Sequence, residues 1–439
     1  MLMSKLHGIH VPHRKNTADM VPIRMPAPKS VTIPLNMHIG APAKTIVKVG
    51  DEVKVGTLIA EAGGFVSAPI HASVSGKVTA IGSTWTSNGS KAATVTIESD
   101  GLMTKDESCV PPEVSDYDSF IAAVRASGAV GLGGAGFPTA VKLDVKDLSR
   151  IEAIVLNGAE CEPYITSDTR TMIDNADLIK EGIELLEKYL GARNIIIGIE
   201  ANKPEAIAKM RTLESDSAIK VKVLPSIYPQ GGEKVLIYHC TGKVVPEGKL
   251  PIDIGCIVMN VTTLAFIARY IKTGMPLVEK VLTVDGSAVK NPQNVIVPIG
   301  TSMVDVFEFC GGFKSEPAKV IYGGPMMGTA VKSIDSPILK NNNAILALNE
   351  KDAHLPEPTA CIRCGRCVRA CPMGLMPFSF ARAFALRDYE KLEKRKINLC
   401  IECGCCAYVC PANRPLVENH KLSKAALRKH KEELKGEKE

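Results

Sequence analysis

The sequence lacks the features that would place it across a membrane or on nucleic acid. No apolar run in its 439 residues approaches the roughly 18 needed to span a bilayer. Met1–Val11 has no apolar core of the kind found in secretory signals, so no signal peptide is expected. Lys+Arg 53 against Asp+Glu 47 leaves +6, too mild a balance to argue for nucleic acid. A hydrophobic content of 45% excludes disorder, the tail aside. The length suits about three domains with full-sized cores. A soluble or peripheral chain is expected, one that does not cross the bilayer itself.

Cysteine is what the sequence has in its place. Cys109, Cys161, Cys240, Cys256 and Cys310 are scattered, and nine more crowd into positions 361–410. The chain is too long for a disulfide-stapled secreted scaffold, so the crowded cysteines read as metal ligands. Their spacing is Cys361-x2-Cys364-x2-Cys367-x3-Cys371-Pro372, then Cys400-x2-Cys403-x2-Cys406-x3-Cys410-Pro411. This is the two-cluster bacterial ferredoxin pattern, in which the fourth cysteine of each run serves the other cluster. Cys361, Cys364, Cys367 and Cys410 are therefore assigned to one [4Fe–4S] cluster, and Cys400, Cys403, Cys406 and Cys371 to the second. Zinc would want two pairs of ligands, whereas each run here is three plus one followed by proline. Cys405 reads as a non-ligand, and Phe378–Lys391 as a short helix between the runs.

Upstream, Gly131-Leu-Gly133-Gly134-Ala-Gly136-Phe137-Pro138 contains a literal G-x-G-x-x-G. A dinucleotide fingerprint must follow a strand. Here Phe120, Ile121 and Val124 recur at helical spacing over Ser119–Ser127, so a helix comes first. The loop would still expose backbone N–H groups to phosphate and admit a flat ring, a turn-rich connector being the alternative. Strands at Ile151–Leu156, Asn194–Ile199, Ile219–Leu224 and Ile254–Met259 then alternate with helices at Asp177–Leu190, Pro204–Leu213, Gly232–Cys240 and Val261–Lys272. That alternation predicts an α/β layer fold, with ligands beyond the carboxyl ends of the strands. Three loops fall there: Asn157–Pro163, Tyr228–Glu233 and Asn260–Thr263.

The stretches GLGGAGFPTAVKL, LNGAECEP, YPQGGEKVLI and VMNVTTLAFI resemble the FMN- and NADH-binding fold of the complex I flavoprotein subunit. Nearly the whole chain is similar to the C-subunit family of Rnf ferredoxin:NAD oxidoreductases. The resemblance implies four domains: a barrel-sandwich hybrid at 1–112, a Rossmann-like FMN/NADH-binding α/β domain at 113–275, a soluble-ligand-binding β-grasp-type domain at 276–340 and a two-cluster ferredoxin domain at 341–420, with a basic tail at 421–439. By the same resemblance, Gly131, Gly133, Gly134 and Gly136 wrap a non-covalent FMN and Lys142 meets its phosphate. Asn157 and Glu160 contact the ribityl and phosphate region, and Tyr228, Gly231, Asn260 and Thr263 close the pocket. Phe137, Glu162 and Glu233 line the NAD(H) side, at the opposite end from Lys142. Ala159 and Gly232 stand where the complex I pattern has acidic residues, so the pocket is less acidic. For each remaining acid, a helix cap or solvated charge is the alternative.

Two sheet-like halves, Val47–Ile59 and Ala68–Val78, resemble a biotinyl/lipoyl-type barrel, but no lysine lies between Glu61 and Gly76 to bear a swinging arm. Residues 278–312 read as a hairpin around Asp285-Gly286 and then a helix from Ser302. His7, His10 and His13 read as a polar loop. The tail Lys421–Glu439 reads as a solvated helix or disordered arm, with a weak attraction to anionic membrane as one option. The resemblance implies electron exchange between NAD(H), FMN and the clusters, coupled to Na⁺ or H⁺ movement by partner subunits. Those partners would be membrane subunits and the ferredoxin-like B subunit, with this chain peripheral on the cytoplasmic face of the bacterial cell membrane. A soluble cobalamin reductase, a partner of an amino-acid reductase and an assembly scaffold are the rival readings.

Overall fold

The computed structural model describes residues 6–85, 91–215 and 218–436. At its centre lies a parallel sheet of four strands in the order Ile219–Leu224, Ile195–Glu200, Ala153–Asn157, Cys256–Asn260. Ala153–Asn157, Ile195–Glu200 and Cys256–Asn260 read as almost unbroken apolar runs because helices cover both faces, whereas the edge strand Ile219–Leu224 carries exposed Lys220. Ala176–Leu190 and Val261–Thr273 pack on one face, and Glu233–Thr241 on the other. Each helix stops where the sequence says it should. Gly191 and Gly274 follow two of them in the left-handed conformation, at φ of 66° and 71°. From Ala153–Asn157 the chain crosses to a neighbour on one side and later to Cys256–Asn260 on the other. This reversal opens a crevice at the carboxyl ends of those two strands. Asn157 and Asn260 stand side by side there in register.

The described residues from Ser30 to Ser99 form two small antiparallel sheets. One is ordered Ser30–Pro34, Lys91–Ser99, Gly76–Trp85, Glu52–Val53, and the other Lys44–Thr45, Leu58–Glu61, Ile70–His71. Their core is shared with the central layer: Val31, Ile59, Val78 and Ile97 pack in one cluster with Leu132, Phe266 and Leu277. The barrel therefore buttresses the glycine loop that contains Leu132.

The six-stranded sheet departs from the expected boundaries. Glu279–Asp285 and Gln293–Pro298 pair antiparallel, joined by the loop 286–292 where a tight turn at Asp285-Gly286 was expected. Ala344–Leu348 then pairs parallel with Glu279–Asp285 and Ile23–Arg24 adds to the far edge. The sheet thus extends past position 340 and recruits an amino-terminal strand, a pairing between distant segments that local pattern does not encode.

The cysteine-rich region also differs from its expected form. Phe378–Lys391 is not one helix but parts of two, Pro377–Ala385 and Tyr389–Lys394. Arg387 breaks them at a φ of 52°, and Asp388 caps the second through its bond from the Lys391 amide. The tail is neither disordered nor wholly solvated over its described length. A single helix, Leu416–Gly436, runs through the expected boundary at 420–421 and buries His420, Ser423 and Leu427. Among the described residues no helix is long and apolar enough to cross a membrane.

The packing of Ala176–Leu190 on Val261–Thr273 positions Asn260 and can be tested at Gly182. A Cβ there would meet Leu264 Cγ at 2.6 Å and its carbonyl oxygen at 3.0 Å. Gly→Ala in a helix ordinarily gains about 0.5–1 kcal/mol, but overpacking costs about 1–3 kcal/mol. Gly182→Ala should therefore lower the thermal midpoint, and a raised midpoint would contradict this packing.

Candidate cofactor sites

The glycine loop follows the helix Tyr117–Ala126, as the sequence pattern predicts, and is closed on itself. The Gly131 amide donates to Phe137 O at 2.9 Å and the Gly136 amide to Gly131 O at 3.1 Å. Gly133, Gly134 and Ala135 are left exposed at its crest. A Cβ on Gly133 would meet Asn260 Nδ2 at 2.8 Å, and Gly134 has a φ of +108°, so both positions require glycine. Thr263 Oγ1 anchors the loop by accepting the Leu132 amide at 2.9 Å. Asn260 caps the next helix through the Thr263 amide at 3.1 Å, while its Nδ2 donates to Asp168 at 2.7 Å. Across the crevice, Asn157 Nδ2 donates to Gly231 O at 3.0 Å. The structure thus gathers Gly131–Gly136, Asn157, Gly231, Asn260 and Thr263 around one crevice.

Five of the expected positions make contacts other than those the resemblance implies. Lys142 and Glu233 are not at opposite ends. Glu233 opens its helix over the sheet's carboxyl edge, so its carboxylate lies 3.3 Å from Lys142 Nζ, which also donates to Val258 O at 2.9 Å. Glu160 has its carboxylate occupied. It accepts the amides of Asp168 at 2.6 Å and Thr169 at 3.2 Å, where a helix start favours negative charge, so the helix-cap alternative holds. Glu162 is tied to the neighbouring domain by the amides of Met326 and Met327, at 3.0 and 2.7 Å, and burial pushes its carboxyl up to about 7. Tyr228 does not close the flavin crevice: its hydroxyl donates to Cys403 O at 2.7 Å, with the ring buried against Ile9, Val11 and Cys405.

The sequence reading missed several residues that hold these loops. Lys15 Nζ donates to Glu160 O at 2.8 Å and Glu162 O at 2.9 Å from a segment read as plain loop. Lys280 Nζ donates to Leu132 O at 2.7 Å, and burial lowers its ammonium to about 8. Lys280 was findable, since it shares the inward face of its strand with Leu282 and Val284. Asn341 Nδ2 donates to Gly134 O at 2.8 Å, and Thr262 Oγ1 to Asp168 at 2.6 Å. An open glycine main chain, a helix start beneath it and the Lys142 ammonium at its edge form a donor set that fits a phosphate-bearing flavin.

The two cysteine runs repeat each other in backbone as well as spacing. Arg363 and Glu402 both have a φ of 55°, Gly365 and Gly404 are both left-handed, and Gly374 and Asn413 match in the same way. Cys371, Cys400, Cys403, Cys405 and Cys406 line one cavity with Phe380, Val417 and His420. Four of these five are the cysteines assigned to the second cluster, Cys371 coming from the other run. Cys405 Sγ instead donates to Tyr228 O at 3.7 Å, turned toward the flavin domain. Cys367 and Cys410 belong to an adjoining packed cluster, while Cys361 and Cys364 are exposed. Among the described residues no three such side chains close round a single ion. Sulfurs spread round a cavity wall suit a polynuclear cluster.

Anaerobically purified protein should hold roughly eight iron and eight acid-labile sulfide per chain. Cys364→Ser should lower that toward one cluster, and Cys405→Ser should leave it unchanged. Equal iron loss in the two variants would overturn the ligand assignment.

Family models match four successive stretches of the chain. They are the RnfC barrel sandwich hybrid domain at 4–102, the Nuo51 FMN-binding domain at 124–269, the SLBB domain at 281–330 and a 4Fe-4S dicluster domain at 355–425. The C subunit of the Na(+)-translocating ferredoxin:NAD(+) oxidoreductase complex of Acetobacterium woodii is 45% identical over 96% of this chain and 96% of its own length. The C subunit of the proton-translocating ferredoxin:NAD(+) oxidoreductase complex of Clostridium ljungdahlii is 42% identical over 91% of this chain and 88% of its own. The C subunit of an ion-translocating oxidoreductase complex of Rhodobacter capsulatus is 40% identical over 96% and 82%. Agreement at this level over nearly the full length shows that the chain belongs to the C-subunit family of Rnf-type ferredoxin:NAD⁺ oxidoreductase complexes.

Proposed function

We propose that this chain is the NAD(H)-facing subunit of a ferredoxin:NAD⁺ oxidoreductase complex, passing electrons between NAD(H) and partner subunits in the order crevice, inner cysteine set, outer cysteine set. When bound, FMN exchanges a two-electron hydride for single electrons and the [4Fe–4S] clusters carry those electrons one at a time. The chain's own residues bind, orient and insulate. Gly131–Gly136, Asn157, Gly231, Asn260 and Thr263 hold the flavin. Lys142 meets the flavin phosphate, and Phe137 and the half-exposed Glu233 beside it meet the nucleotide at the crevice mouth, with Glu162 behind them.

The observation that carries the order is the seam at Tyr228. The hydroxyl of Tyr228 touches the main chain of Cys403, an inner ligand, and three residues later Gly231 is bonded to Asn157 in the crevice. The outer set faces away, with Cys361, Ile362, Arg363, Cys364 and Arg366 all exposed. That face suits a partner, either a membrane subunit or the ferredoxin-like B subunit, on the cytoplasmic side of the membrane. Ion movement would belong to those partners. The Acetobacterium and Clostridium relatives are about equally similar to this chain, yet one is named for Na⁺ and the other for protons.

Removing one cluster at a time tests the order. In Cys364→Ser, NADH should still reduce the remaining inner cluster. In Cys406→Ser, NADH should leave the outer cluster oxidised while dithionite reduces it. Equal reduction of the outer cluster by NADH in Cys406→Ser would reverse the order.

A further inference from the structure

At the Gly136 end of the glycine loop lies a second cavity, of about 230 Å³. Three parts of the chain build its wall: Asn36, His38 and Trp85 come from the barrel, Ala135 and Gly136 from the loop, and Asn341 from the domain of the six-stranded sheet. Trp85, the one tryptophan of the chain, ends the strand Gly76–Trp85 and is 52% exposed. Lys91 Nζ, on the paired strand, lies 5.4 Å from the centre of its ring, and Lys332 Nζ lies 5.3 Å from it. Neither ammonium is paired with a carboxylate among the described residues. A concave wall with an aromatic ring, side-chain amides and unpaired cations has the make-up of a small-molecule pocket. It also lies close to the flavin crevice. A Cβ on Gly133 would meet Asn260 and one on Gly136 would meet Asn341 at 3.3 Å, so the two sites are three residues of main chain apart. That step spans at most about 11 Å.

We propose that this cavity takes the adenosine half of NAD(H), with Trp85 as the stacking platform for adenine and Lys91 and Lys332 meeting the pyrophosphate. The inference rests on the nucleotide reading above and extends it to the end of the molecule that does not react. A dinucleotide carries two flat rings joined by a charged bridge, and the crevice accounts for only one of them. A base stacked on an indole gains more than an exposed ammonium over the same ring. An arriving adenine therefore displaces the lysines from Trp85, and the pyrophosphate supplies the negative charge they otherwise lack. Asn36 adds a side-chain amide, whose donor and acceptor match the N6 and N7 edge of adenine. Contacts this far from the hydride hold ground state and transition state alike, so they act on affinity and leave the chemical step alone. A barrel with no lysine between Glu61 and Gly76 bears no swinging arm. Its use to a flavin domain is then the wall it supplies.

Calorimetry and steady-state kinetics on the full chain, loaded with flavin and clusters, test this with two halves of the nucleotide. ADP-ribose should bind, and Trp85→Ala should weaken it about tenfold, the loss of one stacked base. The same variant should raise KM for NADH by a similar factor with kcat unchanged, ferricyanide serving as acceptor. Reduced nicotinamide mononucleotide lacks the adenosine half, so its turnover should be the same in Trp85→Ala as in the wild type. Trp85→Phe keeps a ring and should recover most of the loss. Lys332→Met should weaken ADP-ribose and flatten the salt dependence of its binding. Unchanged ADP-ribose affinity and NADH KM in Trp85→Ala would overturn the proposal. So would an equal loss with the mononucleotide, since that would mark a general effect on the loop. Wild-type protein that oxidises neither NADH nor the reduced mononucleotide would instead overturn the nucleotide reading on which the proposal rests.

Discussion

The structure depends on one short stretch of chain that touches two sites at once. Between Tyr228 and Gly231 the loop reaches the inner cysteine run with a side-chain hydroxyl and the strand ends with a carbonyl. Electron transfer weakens steeply with distance, so a protein that joins hydride chemistry to one-electron carriers must fix that separation. Here the separation is fixed by local geometry and does not rest on domains docking loosely. Tyr228 is buried, and burial pushes its hydroxyl well above the usual phenol range, so it stays a donor to Cys403 O. Cys405 bonds back to Tyr228 O, which gives the extra cysteine of the second run a role at the seam.

The amino-terminal segment braces this seam from outside. Ile9 exchanges both main-chain bonds with Tyr228, each at 2.9 Å. Lys15 then pins the turn at 160–165, and Thr17 meets Thr166. Burying an ammonium is costly unless its donors are satisfied, and the carbonyls of Glu160 and Glu162 supply that. Burial drives Lys15 and Glu160 each toward its neutral form, opposed by their mutual attraction. The barrel that follows shares its core with the glycine loop, so the amino-terminal quarter of the chain supports both the crevice and the seam. The RnfC barrel sandwich hybrid match at 4–102 covers this same part of the chain.

What the sequence made legible was whatever is local. Strand and helix alternation, the glycine stops at 191 and 274, the proline start at 204 and the two cysteine runs all follow from spacing and backbone preference. The spacing also grouped Cys371 with Cys400, Cys403 and Cys406, and these share a cavity wall with Cys405. What stayed hidden was long-range. Tyr228 lies 175 residues from Cys403, and Lys142 lies 91 from Glu233. No pattern within either loop says which way those side chains turn. Glu160 and Glu162 show the other limit: an acidic residue beside a crevice reads alike whether it faces a ligand or caps a helix, and only the positions of the Asp168, Met326 and Met327 amides decide.

The central claim is that electrons enter the inner cluster first. Rapid mixing of the anaerobic wild-type protein with NADH, freeze-quenched and read by EPR, follows each cluster in time. The account requires the inner cluster's signal to rise before the outer one's. An outer-cluster signal that appears first, or an inner cluster that stays oxidised while the outer is reduced, would contradict it.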